Sequence, residues 1–223
     1  MSKRVGVILS GCGFLDGSEV HEAVLALMHL DRHGVEIVCM APDGNQADVV
    51  DHVAKKPVEG ASRSMLTEAA RIARGRIQPL GEVDPATLDA VVMPGGFGAA
   101  KNLSNFAVRG AAGSANPEVA RVLKTMHAAG KPIGAICIAP AVVALVLGKE
   151  HPRLTIGNDA GTAKAIEQLG AAHVDCAVTD CVIDADRRIV TTPAYMYDAR
   201  VHEVAQGIGK LVDAVVGMMG AAS

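Results

Sequence analysis

The chain has 223 residues, of which 50% are apolar and 20% charged, which fits an ordered globular chain the size of one domain and excludes disorder. Aromatics are only 2%, with no Trp, so the core must be built from Val, Ile, Leu, Ala and Met, and there is little with which to stack RNA or single-strand bases. A net charge of −3 supplies no basic field for a phosphate backbone.

From the N-terminus, Val5–Leu9 reads as a buried strand and the Gly-rich stretch Ser10–Ser18 as a loop. Ser18 is placed to cap a helix that starts near Glu19, with Val20, Val24, Leu27 and Met28 on one face and Gly34 at its end. Val35–Met40 is the second strand, so the chain opens as a β-α-β crossover. Asp43–Ser62 reads as loop with at most a short strand, and Met65–Arg74 as a helix. Asp84-Pro85 resembles a helix start. Ala90–Met93 is a short buried strand that turns sharply at Pro94–Gly98. Asn116-Pro117 opens a helix closed by Gly130, Pro132–Ile136 is a strand running into Cys137, and Ala139–Gly148 is a helix. Leu154–Ile156 reads as a strand, Thr162–Leu169 as a helix, and Cys181–Ile183 with Ile189–Thr192 as a hairpin. Val201–Val215 carries the apolar stripe of a final helix. This alternation predicts an α/β three-layer sandwich with a mostly parallel sheet, residues 1–223 forming one domain. Its active site belongs at the carboxyl ends of the strands, where Gly-rich turns follow Leu9, Met93 and Ile136.

Val5–Leu9 is too short for a signal-peptide core. The longest uncharged run, Pro132–Gly148, has 17 residues and is interrupted by Pro140, so a strand, a turn and a buried helix explain it better than a membrane span. The 5 cysteines are an odd number without a CxxC pair, as in a reduced protein. A cytoplasmic protein with no membrane or nucleic-acid partner is expected.

Three features carry the chemistry. Cys137 follows a strand at a tight turn and precedes a small-residue helix, the geometry of a nucleophile elbow. The helix N-terminus there favours thiolate, although a buried core thiol is the common alternative. In Pro94-Gly95-Gly96, the two glycines let backbone approach a ligand closely, and the N–H groups of Gly96 and Ile138 are placed to form an oxyanion hole. Glu19 and Glu22 lie at the start of the first helix, where a carboxylate either complements the dipole or serves as proton donor and acceptor beside the thiol. Cys12, which also follows a strand end, is the nearest competitor to Cys137. Lys101 and Asn102 either shape the pocket or are plain loop residues, with the two readings about even.

Val92–Gly96, the elbow at Cys137 and the early Glu-Val-His-Glu resemble the DJ-1/PfpI superfamily. The likeness is closest to its "enhancing lycopene biosynthesis" branch, the isoprenoid biosynthesis proteins with an amidotransferase-like domain. That branch carries stretches similar to Val7–Glu22, Met93–Phe106, Cys137–Ala141, Leu154–Asp159 and Thr191–Met196. The resemblance implies a flavodoxin-like, class I glutamine amidotransferase-like sandwich, usually a homodimer. It implies Cys137 and Glu22 as the catalytic residues, with Gly95, Gly96 and Ile138 around the substrate. It also implies a glutathione-independent glyoxalase with no cofactor and no metal, acting on a small dicarbonyl, whose activity is also expressed as protein deglycation.

One departure matters. The position after the nucleophile, often His in the superfamily's hydrolases, is Ile138, and Gly157-Asn158-Asp159 supplies no His either. A Cys-His triad is therefore disfavoured, and amidase or peptidase chemistry with it. His21 neighbours Glu22 but points elsewhere on a helix, and the other histidines lack metal-ligand spacing. The expected thiol has a depressed pKa and shares one proton with a mostly protonated Glu22. A redox-sensing or stress-protective protein using the same cysteine is the alternative function.

Overall fold

A seven-stranded sheet holds the molecule together, in the order β10-β11-β7-β6-β1-β2-β5. A computed structural model describes residues 2–220. In chain order the elements are β1 (Arg4–Ile8), α1 (Val20–Arg32), β2 (Glu36–Ala41), β3 (Val50–Asp51), β4 (Lys56–Pro57), α2 (Met65–Ile72), β5 (Gln78–Pro79) and β6 (Ala90–Met93). They continue with α3 (Phe97–Lys101), α4 (Phe106–Arg109), α5 (Pro117–Ala128), β7 (Ile133–Ile136), α6 (Ala139–Leu147), β8 (Arg153–Leu154), α7 (Ala160–Gln168) and β9 (Ala172–His173). The chain finishes with β10 (Val182–Asp184), β11 (Ile189–Thr192) and α8 (Val201–Met218). All pairings in the main sheet are parallel except the β10–β11 hairpin.

The central strands β6 and β7 are short, apolar and buried throughout, because helices cover both faces. Val5, Val7 and Leu9 point to the face shared with α1, α2 and α8, while Ile8, Val91 and Met93 point to the face shared with α5 and α6. This is the flavodoxin-like α/β sandwich expected. β1, β6 and β7 lie side by side and parallel in the middle of the sheet, so the three Gly-rich turns come together at their carboxyl ends.

Several local expectations need correction. Leu154–Ile156 is not a strand of the main sheet: Arg153–Leu154 pairs only with Ala172–His173 in a small sheet of its own. Asp84-Pro85 opens one 3-10 turn, Pro85–Thr87, rather than a longer helix. Ser18 is not the cap of α1. Its hydroxyl accepts the N–H of Ser10, and Glu19 caps the helix by accepting the N–H of Glu22 at 2.7 Å. The apolar face foreseen for α1 is turned outward. Val20, Val24 and Met28 are exposed, and the buried residues are Glu22, Ala23, Ala26 and Leu30. Small side chains at 23 and 26 allow α1 to approach the sheet and α8 closely, and that closeness outweighs the larger residues on the other face.

Candidate functional site

Cys137 sits at the turn between β7 and α6 with φ +62°, a left-handed conformation that an L residue adopts at a cost. Its N–H is held by the Thr192 carbonyl at 2.9 Å, which fixes the turn to the end of β11. The thiol is 7% exposed. Gly96 and Ile138 both direct their backbone N–H groups at its sulfur.

Gly95 explains why the neighbouring turn must be glycine. A Cβ there would stand 2.5 Å from Cys137 Cβ, 2.8 Å from the Ile136 carbonyl and 2.9 Å from Glu22 Oε2. Gly96 adopts φ +87°, and a Cβ on it would meet the backbone of Gly17 and Glu19 within 2.5 Å. The two glycines thus let three loops converge on one sulfur.

Glu22 is completely buried. Its Oε2 accepts the N–H of Gly95 at 2.8 Å, its Oε1 accepts the N–H of Tyr195 at 3.3 Å, and its side chain shares a hydrogen bond with Cys137. Burial, aided by the negative charge of Glu19, lifts its pKa to about 8 against the pull of those three hydrogen bonds. Glu22 is therefore protonated near neutral pH, as expected.

The thiol departs from expectation. Burial and the nearby Glu22 raise Cys137 well above an ordinary cysteine, and the N–H groups of Gly96 and Ile138 only partly oppose them. The N-terminus of the nine-residue helix α6 does not make a free thiolate here, because full desolvation penalises the anion more. Glu22 gives up its proton as pH rises through about 8, while the Cys137 thiol holds its own to higher pH.

The remaining candidates separate clearly. Asn102 is a clamp rather than a pocket group: its Nδ2 donates to the carbonyls of Ser10 and Asp16 at 2.8 Å each, and its Oδ1 accepts the N–H of Ala47. Lys101 pairs with Asp48 at 2.9 Å. Cys12 lies in the loop after β1, where burial and the carboxylates of Glu68 and Asp16 raise its pKa. Among the described residues no three His, Cys, Asp or Glu side chains converge to hold a metal ion, and no helix is long and apolar enough to cross a membrane.

Tyr195 was not foreseen. Its backbone N–H reaches Glu22 from the turn after β11, presented by Ala194, which has φ +41°. The motif Thr191–Met196 was the available signal, but its role is a main-chain bond, which no residue type announces.

Comparison with known proteins places this geometry. The profile described as "DJ-1/PfpI family" matches residues 12–197. The human protein named "Glutamine amidotransferase-like class 1 domain-containing protein 3, mitochondrial" is 48% identical over 97% of this chain and 84% of its own length. "ES1 protein, mitochondrial" of Danio rerio is 32% identical over 96% of this chain and 86% of its own. The crystal structure of an Ehrlichia chaffeensis isoprenoid biosynthesis protein with amidotransferase-like domain superposes with a TM-score of 0.91 at 39% identity, covering 97% of this chain and 99% of that one. These relatives overturn the cytoplasmic expectation, since the human, rat and zebrafish proteins are all named as mitochondrial. Free cysteines report a reducing compartment and cannot tell one such compartment from another.

Proposed function

The chain belongs to the DJ-1/PfpI family, and from that premise we propose that it is a glutathione-independent glyoxalase, converting glyoxal and methylglyoxal to the hydroxy acid. The observation that carries this reading is the convergence of three groups. They are a cysteine at a strained elbow, two backbone N–H groups on its sulfur, and a buried carboxyl holding a proton beside it.

The steps follow from those parts. Below about pH 8 the pair is thiol and carboxylic acid, and the reactive form is the minor one in which Cys137 has lost its proton while Glu22 keeps its own. The thiolate adds to one aldehyde carbon, the C=O electron pair moves onto oxygen, and the N–H groups of Gly96 and Ile138, which face the sulfur, are the donors available to that oxyanion. Glu22 gives its proton to the oxyanion and, now a carboxylate, removes the hydrogen from the same carbon. The resulting enediol takes that proton back at the second carbon. The product is a thioester of the hydroxy acid, which water cleaves to regenerate the thiol. Glyoxal and water together have the composition of glycolic acid, so the chemistry balances without an external oxidant or reductant. The same steps on an aldehyde adduct in equilibrium with free dicarbonyl would register as deglycation.

A redox sensor needs an exposed, low-pKa thiol. The buried, raised Cys137 weighs against that alternative. We further propose that the chain forms a homodimer through α1, whose exposed Val20, Val24 and Met28 form an apolar strip beside a groove of about 750 Å³ that also includes Leu27, Ile37 and Ile72. The enzymatic reading is tested by glyoxal consumption with product identified by NMR. Wild type should form glycolate and Cys137→Ala should form none. Equal rates in the two would overturn it.

A further inference from the structure

Glu22 does not stand alone at the head of α1. Glu19 lies one turn before it, its side chain only 13% exposed, and its two oxygens are committed differently. Oε2 accepts the backbone N–H of Glu22 at 2.7 Å. Oε1 lies 3.8 Å from Nδ1 of His21, a side chain more than half exposed, and that same Nδ1 is 3.0 Å from the Tyr195 hydroxyl. Tyr195 in turn gives its backbone N–H to Glu22. The backbone of Glu19 is also tied in, since its N–H donates to the Gly95 carbonyl at 3.0 Å, while the N–H of Gly95 donates to Glu22. Glu19, His21 and Tyr195 therefore form an outer tier that closes around the buried pair and is bonded to the loop that carries it.

We propose that Glu19 is a positioning residue for the reaction, a fixed negative charge that keeps the proton on Glu22. The proposal rests on the reading of Cys137 and Glu22 as the reacting pair. A cap alone would not require a carboxylate, because Ser, Thr and Asn satisfy the same N–H. What a carboxylate adds is charge at short range in a water-poor setting, where an unpaired like charge on Glu22 is disfavoured. Among the described residues no Lys or Arg forms an ion pair with either carboxyl. The titratable groups facing them are Cys137 from the elbow, Tyr195 from the turn after β11, and His21 from α1 itself. His21 is the single one of these able to become cationic, and it stands on the solvent side of Glu19.

The test compares two good caps that differ in charge, Glu19→Asp and Glu19→Ser, in the full chain. The readout is the rate of iodoacetamide alkylation at Cys137 against pH, followed by peptide-resolved mass spectrometry, with melting temperature as the check that both variants fold. Alkylation requires thiolate but no turnover, so this result stands apart from the success or failure of the glyoxalase reading. Glu19→Ser should let Glu22 ionise at lower pH, and its carboxylate then opposes the thiolate, so the alkylation midpoint should rise and alkylation near neutral pH should slow by up to about tenfold. Glu19→Asp should keep the wild-type midpoint. If the two variants give the same profile, or if Glu19→Ser leaves the midpoint in place, the carboxylate is a helix cap and nothing more, and the proposal is overturned.

Discussion

Glu22 owes its proton to position. Its carboxyl is fully buried, meets the charge of Glu19, and yet accepts two backbone N–H groups. A folded pKa of about 8, above the ordinary value of 4.5, has a definite consequence for stability. The fold binds this proton more tightly than the unfolded chain does. The stabilisation is thus fully present below the ordinary carboxyl range and is lost as pH rises through about 8. Wild-type melting temperature should accordingly fall between pH 5 and 8 by an amount worth on the order of a few kcal/mol. Glu22→Gln should flatten that slope, whatever its offset, and a slope that survives the substitution would place the titrating group elsewhere. The same variant cannot shuttle a proton, so turnover should drop by roughly 10² to 10⁴.

Between residue and fold stand the loops, and here two contacts are decisive. Gly95 lies where a methyl group would press on Cys137 Cβ, the Ile136 carbonyl and Glu22 Oε2 at once, and two of those three atoms are backbone or Cβ that cannot swing aside. Gly95→Ala should therefore abolish Cys137 reactivity towards iodoacetamide or change its rate more than tenfold, while a distant substitution such as Gly217→Ala, which meets nothing, leaves it unchanged. Asn102 acts at a distance from the sulfur by tying the loop after β1 to the segment that follows β2. Asn102→Ala strips partners from the carbonyls of Ser10 and Asp16 and the N–H of Ala47. It should cost about 1–3 kcal/mol in denaturant unfolding. A loss below a few tenths would show that water replaces the amide.

At the scale of the whole molecule, the sheet order brings β1, β6 and β7 together and so assembles three separate stretches of chain into one site. The outer face of α1 belongs to this scale as well. Val24 is 49% exposed on a helix whose other side carries Glu22, so the proposed homodimer interface and the site share one element. Val24→Glu should convert the dimer to monomer in analytical ultracentrifugation without altering the far-UV circular dichroism. A wild-type monomer at micromolar concentration, or a dimer untouched by the charge, would remove α1 as the interface.

The sequence alone determined the fold class, most strand positions and the elbow at Cys137, because short apolar runs bounded by Gly and Pro are local signals that tertiary packing rarely overrides. It also marked Gly95, Gly96, Ile138 and Glu22 as neighbours, through motifs that their close approach requires. The tertiary structure decided what local patterns leave open. Two helical stripes compete on α1, Val20-Val24-Met28 and Glu22-Ala26-Leu30, and both have the right period; only the closeness of the sheet and α8 selects the second. Ser18 and Glu19 are both adequate caps, and the choice went to Glu19 because Ser18 is bound to Ser10. The N–H of Tyr195 enters the site through a backbone conformation at Ala194 that the residue type does not reveal. The proton balance of Cys137 and Glu22 was decided by burial, since a helix terminus is written in the sequence whereas the loss of water around a charge exists only once the chain has closed over it.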